Sequence, residues 1–371
     1  MRRRICLKLG LASTLGHSLS AGAADATGSE AAGESELRQQ LQALLPGLMA
    51  KHQVPGLAML LYRREPALRI SLCLGSTGRG TGSDGTVDSV QSDTVFEAAS
   101  LSKPVFGALL LQQVQAGRLE LDRPLLDYFP ERFTPRQPWQ AKISARMLLS
   151  HTSGLPNWRS GDEERGELPL SFEPGRGFMY SGEGFYYLQR ALEHLLGEAL
   201  HVSAERQLFG PLGMAHSSFV LTPKLSALRA RGHDEGGLPL PWSHYQRANA
   251  AYTLFTTAED YGRFLQALLQ PGLLSESLLS EALKPQSLAS DRQPMQRPGM
   301  AIGSPVHWGL AWALNRMQDG SQVAYHTGTN SSGFRAYGQF SVQRGSALVM
   351  MSNGLGGHHL SQAIARTLGD L

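Results

Sequence analysis

The stretch "VFEAASLSKPVFG", residues 95–107, lies where the strand-like patterns of the chain give way to helical ones. Proline is tolerated in the first turn of a helix but not in its interior, so Pro104 predicts a helix that begins close to Ser100. Side chains three residues apart lie on one face of a helix. The Ser100 hydroxyl and the Lys103 ammonium are therefore predicted to share one small space.

Strand-like runs flank a long helical region. Before Ser100, the apolar runs "GLAMLLYR" (56–63) and "ALRISLCLG" (67–75) follow a helical pattern over 37–48. From Ser100 to about residue 290 the patterns are mostly helical. Four strand-like runs then return before a last helix: "HWGLAWAL", "QVAYHTG", "FRAYGQFSV" and "SALVMMSN". This order predicts a mixed α/β (α+β) fold, in which the N- and C-terminal segments build one sheet and the helices are inserted beside it.

The composition indicates an ordinary globular protein. The chain has 371 residues, of which 42 % are hydrophobic and 18 % charged, enough to bury a sizeable core. Its formal net charge is +3, and the first 23 residues carry four positive charges and no acidic residue. The remainder is close to neutral, which argues against nucleic acid or an anionic membrane surface as its partner.

Residues 1–23 are predicted to be an export signal, because a basic start is followed by a short apolar stretch and an A-x-A site at Ala21–Ala23. Its "RRICLK" segment resembles the twin-arginine pattern, and the general secretory route is the alternative. The small, polar residues 24–34 are predicted to be a flexible linker, and 35–371 the folded domain. No later run is long and apolar enough for a membrane helix. We therefore expect an exported protein, periplasmic or secreted.

Neither a disulfide framework nor a metal site is predicted. Cys6 would leave with the export signal, so that Cys73 would be alone. The sequence contains no H-E-x-x-H motif, and "GGHHL" at His358 and His359 lacks a third ligand at a suitable spacing. No G-x-S-x-G nucleophile elbow occurs either. The sequence therefore gives no indication of a cofactor.

The S-x-x-K spacing of Ser100 and Lys103 suits nucleophilic catalysis. At a helix N-terminus, free backbone N–H groups and the helix dipole stabilise a developing oxyanion, and burial lowers the pKa of a lysine. A neutral lysine can then take the proton of the serine. The alternative is structural, with a serine N-cap followed by a lysine whose stem covers apolar surface.

Two further motifs follow in order, Tyr180-Ser181-Gly182 before a helix and His326-Thr327-Gly328 at the end of a strand. Together with "SLSK" they resemble the motifs of the serine β-lactamase and penicillin-recognising family, in its branch of class C β-lactamases, DD-peptidases and related esterases. The resemblance runs from about Leu37 to the C-terminus and includes "LLSHTSGLPNW", "EPGRGFMYS", "AYTLFTTAEDYGRFL" and "LVMMSNG". It implies an antiparallel sheet from the two terminal parts, flanked by the terminal helices and packed against an all-helical region.

The resemblance also implies roles for single residues. Ser100 would be the acylated nucleophile, Lys103 its activator, and Tyr180 the group that moves protons between nucleophile, leaving group and water. His326 would complete the catalytic set. The remaining implied contacts are the backbone N–H groups of Ser100 and Thr329 for the oxyanion, and Gly182, Thr327 and Gly328 for the substrate. Whether Lys103 or Tyr180 is the base stays open, and the structural alternatives are aromatic packing for Tyr180 and a core position for His326.

Two departures from the family's motifs bear on the substrate. Gly182 stands where most relatives have asparagine, so the amide that would hold a substrate's acylamide is missing. His326 replaces the lysine of β-lactamases, and a largely neutral imidazole holds a carboxylate less firmly.

We therefore predict a serine hydrolase that acts through an acyl-enzyme on an ester, amide or peptide. Its partner would be a small-molecule or peptide substrate. One alternative is a true class C-type β-lactamase or DD-peptidase, and the other is a binding protein without turnover on the same scaffold. The segment 232–250 is either a substrate-facing loop or a surface connector, and the sequence indicates no oligomeric state.

Overall fold

The computed structural model of the protein describes residues 22–81, 87–130, 138–159, 168–245, 247–289, 297, 300 and 304–368. The helices of this part are α1 (Gly22–Lys51), α2 (Ser102–Gln115), α3 (Ala145–Leu149), α4 (Gly182–Leu196), α5 (Leu200–Ala204), α6 (Pro223–Leu228), α7 (Ala258–Leu268), α8 (Glu276–Ala282) and α9 (Gly357–Leu368). The strands are β1 (Gly56–Arg63), β2 (Leu68–Thr81), β3 (Val87–Ser89), β4 (Phe96–Glu97), β5 (Phe255–Thr256), β6 (Ser287–Leu288), β7 (His307–Trp308), β8 (Ala313–Arg316), β9 (Gln322–Thr329), β10 (Arg335–Ser341) and β11 (Ser346–Ser352).

Nine of the described strands form one antiparallel sheet, in the order β3-β2-β1-β11-β10-β9-β8-β7-β6. β1 pairs with β11 from Leu57 opposite Ser352 to Arg63 opposite Ser346. The N- and C-terminal strands therefore meet in the middle of one sheet, which confirms the predicted fold class. β4 and β5 form a separate two-stranded sheet beside it.

The side chains of β1 alternate between two hydrophobic cores, because successive residues of a strand point to opposite faces. Met59 lies in one core with Leu45 of α1 and Ile364 of α9. Leu60 lies in the larger core, which it shares with Phe264 of α7 and with most of the helical region. The terminal helices thus cover one face of the sheet and the inserted helices cover the other, as predicted.

Helix α7 joins the helical layer to the sheet close to Ser100. A methyl group on Gly262 would lie 3.0 Å from the side chain of Leu60, so the glycine allows α7 to lie close to β1. The hydroxyl of Tyr261 donates to the carbonyl oxygen of Leu101 at 3.2 Å. α7 therefore ties the chain segment around Ser100 to the sheet.

The N-terminal helix is longer than the sequence predicts. α1 begins at Gly22, so residues 24–34, predicted to be a flexible linker, are helical in the structure. The segment is rich in alanine and glutamate, which have high helix propensity, and it continues directly into the amphipathic pattern that begins at Leu37. Residues 1–21, most of the predicted export signal 1–23, lie outside the described part of the chain. Among the described residues, no helix combines the length and the apolar character that crossing a bilayer requires.

Candidate active site

Ser100 lies in a tight turn between β4 and α2. Residues 99–101 form a 3-10 turn and α2 itself begins at Ser102, where the sequence predicts a regular first helical turn from Ser100. Ala99 has a φ of +48°, in the left-handed region, which costs an L-residue of the order of 1 kcal/mol. The hydroxyl of Ser102 donates to the carbonyl oxygen of Ala99 at 2.6 Å and accepts the N–H of Leu254 at 2.9 Å. These bonds hold the strained turn in place.

Lys103 is fully buried behind Ser100. Its Nζ lies 3.3 Å from Ser100 Oγ and donates to the carbonyl oxygen of Ala251 at 2.9 Å. Three aromatic rings surround the amine, with centroids 4.7, 5.6 and 5.9 Å from Nζ: those of Tyr180, Phe185 and Trp158. Burial lowers the pKa of Lys103 to about 7. A large fraction of the amine is therefore neutral at physiological pH and can accept a proton.

Tyr180 and His326 complete the cluster. The hydroxyl oxygen of Tyr180 lies 3.5 Å from His326 Nε2, at the long end of a hydrogen bond, and the Tyr180 hydroxyl is also hydrogen-bonded to Ser100. His326 Nδ1 lies 2.7 Å from the carbonyl oxygen of Thr327, which can only accept, so Nδ1 carries the proton and Nε2 is the acceptor for Tyr180. The structure thus brings together four residues that the sequence motifs indicate and that lie in distant segments: Ser100, Lys103, Tyr180 and His326.

The charge states of this cluster follow from burial. Burial, and after it the charge of Lys103, lowers the pKa of His326 to about 3, so the imidazole is neutral at physiological pH. Burial raises the pKa of Tyr180 above its ordinary value, and the hydrogen bond with Ser100 opposes this only in part. Tyr180 is therefore a neutral phenol, and Lys103 is the group of the cluster whose pKa lies near neutrality.

The third motif forms an open strand edge. β8 pairs with β9 only as far as Tyr325, so in the described structure residues 326–329 pair with β10 alone. A methyl group on Gly328 would lie 2.3 Å from the carbonyl oxygen of Ala98, so only glycine allows β9 to reach the turn of Ser100. Thr327 and Thr329 lie on the same edge, with the Thr329 hydroxyl 2.7 Å from His358 Nε2.

His151 supports this cluster, although no sequence motif indicates a role for it beyond its place in the segment "LLSHTSGLPNW". It is fully buried, its ring centroid is 4.4 Å from that of Tyr180, and its Nδ1 accepts the N–H of Ser181 at 3.0 Å. Burial, and then the charges of Lys103 and His326, lowers the pKa of His151 well below its ordinary value. The neutral ring therefore fixes the backbone beside Tyr180.

Glu97, three residues before Ser100, is a second residue of the site that no sequence motif indicates. Its buried carboxylate accepts hydrogen bonds from the side chains of Ser243, Asn330 and Ser332, the latter two at 2.8 and 2.6 Å. Two distant loops are thereby attached to the strand that leads into the Ser100 turn. One of them, residues 330–332, directly follows the edge of β9.

Gly182 has no room for a side chain. Its N–H is shared between the backbone and side-chain oxygens of Asn157, at 3.1 and 2.9 Å. A methyl group on Gly182 would lie 2.5 Å from the Trp158 ring and 2.8 Å from the Asn157 carbonyl oxygen. The asparagine that the family motif has at this position would therefore clash with Trp158 and with the backbone.

No group of three or more His, Cys, Asp or Glu side chains that could hold a metal ion occurs among the described residues. Cys73 is half-buried, and burial raises the pKa of its thiol to about 11. It therefore stays a thiol at neutral pH.

Comparison with known proteins identifies the family and the fold of the chain. The family model described as Beta-lactamase matches residues 41–370. The curated relatives include penicillin-binding protein 4 of Amycolatopsis lactamdurans, 29 % identical over 83 % of this chain and 83 % of that protein. Esterase EstB of Burkholderia gladioli is 29 % identical over 51 % of this chain and 60 % of its own length.

Solved structures show the same fold. A class C beta-lactamase superposes with a TM-score of 0.73, over 91 % of this chain and 98 % of that one, at 20 % sequence identity. At this identity the likeness concerns the fold alone. It includes the large sheet with its terminal helices and the inserted helical region.

Proposed function

The chain belongs to the Beta-lactamase family, whose model matches nearly all of it, and from this premise we propose that it is a serine hydrolase that forms an acyl-enzyme on Ser100. The observation that carries the proposal is the buried amine of Lys103, which lies 3.3 Å from Ser100 Oγ and has a pKa of about 7. A lysine that only covered apolar surface would keep its charged end in water. Here the amine faces a hydroxyl instead.

Acylation begins when Lys103 Nζ takes the Ser100 proton as Ser100 Oγ bonds the substrate carbonyl carbon. The backbone N–H groups of Ser100 and Thr329 bind the negative charge that develops on the carbonyl oxygen. When the bond to the leaving group breaks, the Tyr180 hydroxyl gives its proton to the departing atom, and the proton held by Lys103 restores the phenol. Water then attacks the acyl-enzyme by the same steps in reverse order, which releases the acid.

His326 orients Tyr180 in this scheme. Its Nε2 accepts the phenol hydrogen, while Nδ1 is held by the Thr327 carbonyl oxygen. Because the imidazole is buried and has a pKa of about 3, it offers no positive charge to a substrate carboxylate at neutral pH. This supports an uncharged ester as substrate more than a β-lactam with its ring carboxylate.

Esters should be hydrolysed far better than β-lactams. Compared with the family motif, a β-lactam would lose a charged hydrogen bond at His326, worth about 1.5–3 kcal/mol, and a neutral one at Gly182, worth about 1 kcal/mol. A short ester needs neither contact. We expect kcat/KM for p-nitrophenyl acetate or butyrate to exceed that for a penicillin or cephalosporin by about two orders of magnitude. The measurement compares both substrate classes, with Ser100→Ala protein as the background.

The second candidate function is penicillin recognition. It is favoured by the relative named penicillin-binding protein 4, which matches over 83 % of both chains. In that case β-lactam kcat/KM would exceed ester kcat/KM, or a labelled penicillin would remain on Ser100. Either result would contradict the ester preference.

We also propose that the protein is exported. The support is the basic start, the apolar stretch and the small residues at Ala21–Ala23. N-terminal sequencing of protein made in a bacterial host should find a start near Ala24. A retained Met1 would overturn the export proposal.

A further inference from the structure

Trp158 forms a wall of the nucleophile site. Its ring lies where any side chain at position 182 would be, and its centroid is 5.9 Å from Lys103 Nζ. Because Nζ is itself 3.3 Å from Ser100 Oγ, the ring centroid is at most 9.2 Å from that oxygen, a distance that an acyl substituent with an aromatic group can span. No motif of the sequence analysis assigned a task to Trp158.

The backbone on both sides of Trp158 is tied to the start of α4. Asn157 accepts the N–H groups of Gly182 and Glu183 through its carbonyl oxygen, both at 3.1 Å. Arg159 forms an ion pair with the Glu183 carboxylate at 3.0 Å, and the Glu183 side chain is 10 % exposed. The backbone that carries the indole is therefore fixed before any substrate binds.

The outer face of the indole is open to solvent. Trp158 is 45 % exposed, although its ring lies beside the fully buried amine of Lys103. Its ring meets that of Tyr252 edge-on at 5.3 Å, and Tyr252 meets Tyr245 at the same distance. The three rings therefore form a continuous aromatic row that begins beside the nucleophile site.

We propose, on the basis of the serine hydrolase function above, that Trp158 determines the acyl specificity and that the substrates are esters of carboxylic acids with a flat apolar or aromatic group. The Tyr180 hydroxyl faces His326 on β9, so the leaving group that it protonates lies on that side of Ser100. The acyl substituent then lies on the α4 side, against Trp158. An aromatic acyl group gains stacking and apolar burial there, whereas a polar amide substituent would lose hydrogen bonds to water.

The test compares p-nitrophenyl phenylacetate with p-nitrophenyl acetate. The two esters share one leaving group, and their difference in intrinsic reactivity is the same for every variant, so the change in the ratio of their kcat/KM values between variants reports the acyl contact. We expect Trp158→Ala to lower the phenylacetate-to-acetate ratio about tenfold, mainly through KM, and Trp158→Phe to restore most of it. Trp139→Ala is the matched control, because Trp139 is 38 % exposed and, among the described residues, other rings make the contacts with Lys103 and Tyr180.

The outcomes separate this inference from the proposed function. If the wild-type protein hydrolyses neither ester, the hydrolase proposal fails and the specificity proposal fails with it. If both esters are hydrolysed but Trp158→Ala leaves the ratio unchanged, only the specificity proposal is overturned. The specificity proposal is also overturned if Trp158→Ala changes the relative kcat/KM of esters that differ in the alcohol but not of esters that differ in the acyl group. The indole would then contact the leaving group.

Discussion

Ser100→Ala should reduce ester hydrolysis to the background rate while the protein stays folded. Loss of the nucleophile in a serine hydrolase costs up to about six orders of magnitude in kcat. The Ser100 hydroxyl contacts Lys103 and Tyr180, both within the site, and does not support the 3-10 turn, which depends on Ser102. The melting temperature is therefore expected to change by no more than a few degrees.

Fluorophosphonate labelling followed by mass spectrometry gives the direct measurement. The wild-type protein should take up one label on the peptide that contains Ser100, and the Ser100→Ala protein should take up none. Ser277→Ala, at an exposed position of α8, is the control and should label normally. A label that persists in Ser100→Ala would mean that another residue is the nucleophile, and an unlabelled wild type would favour a binding protein without turnover.

Lys103→Met should lower kcat/KM by about two to four orders of magnitude, the usual contribution of a general base. Methionine has nearly the length of lysine, so the buried volume is largely kept and the loss reports the missing amine. Burial lowers the pKa of Lys103, so the lysine destabilises the folded state at every pH below the ordinary lysine pKa. At neutral pH the variant should therefore melt at a temperature at least as high as the wild type. Full activity in Lys103→Met would assign proton removal to Tyr180.

The pH dependence tests the same assignment. Only the neutral amine accepts the Ser100 proton, so kcat/KM should be low in acid and rise through a midpoint near pH 7 to a plateau. Neither His326, with a pKa of about 3, nor Tyr180, whose pKa is raised, titrates in that range. A midpoint near the ordinary lysine pKa, or a rate that falls as the pH rises through 7, would contradict Lys103 as the base.

The sequence predicts the sheet well because its strands have clear local signals. The run "GLAMLLYR" coincides with β1, and its continuous apolar character follows from burial on both faces. The predicted N-terminal helix is too short, because the small and polar residues of 24–34 are typical of a linker, whereas their alanine and glutamate also favour helix. Local composition does not separate these two outcomes.

The site was predicted only as far as its motifs extend. Spacing identifies Ser100 and Lys103, but the left-handed φ of Ala99 is imposed by contacts with residues around 254, which no local pattern reveals. The contributions of His151, Glu97 and Trp158 likewise depend on contacts between distant segments. A single histidine, glutamate or tryptophan in a sequence carries no spacing that would show such contacts.

The pairing of β1 with β11 has a consequence for synthesis on the ribosome. When β1 and β2 have emerged, one edge of β1 has no partner until residues 346–352 are made, and its side chains can contact only the core residues that have already been synthesised. At about 5–20 residues per second, this takes tens of seconds, during which the unpaired edge is a template for aggregation. A fragment that ends before β9 lacks His326 and the strands that join β1 to β8, so we expect it to be inactive.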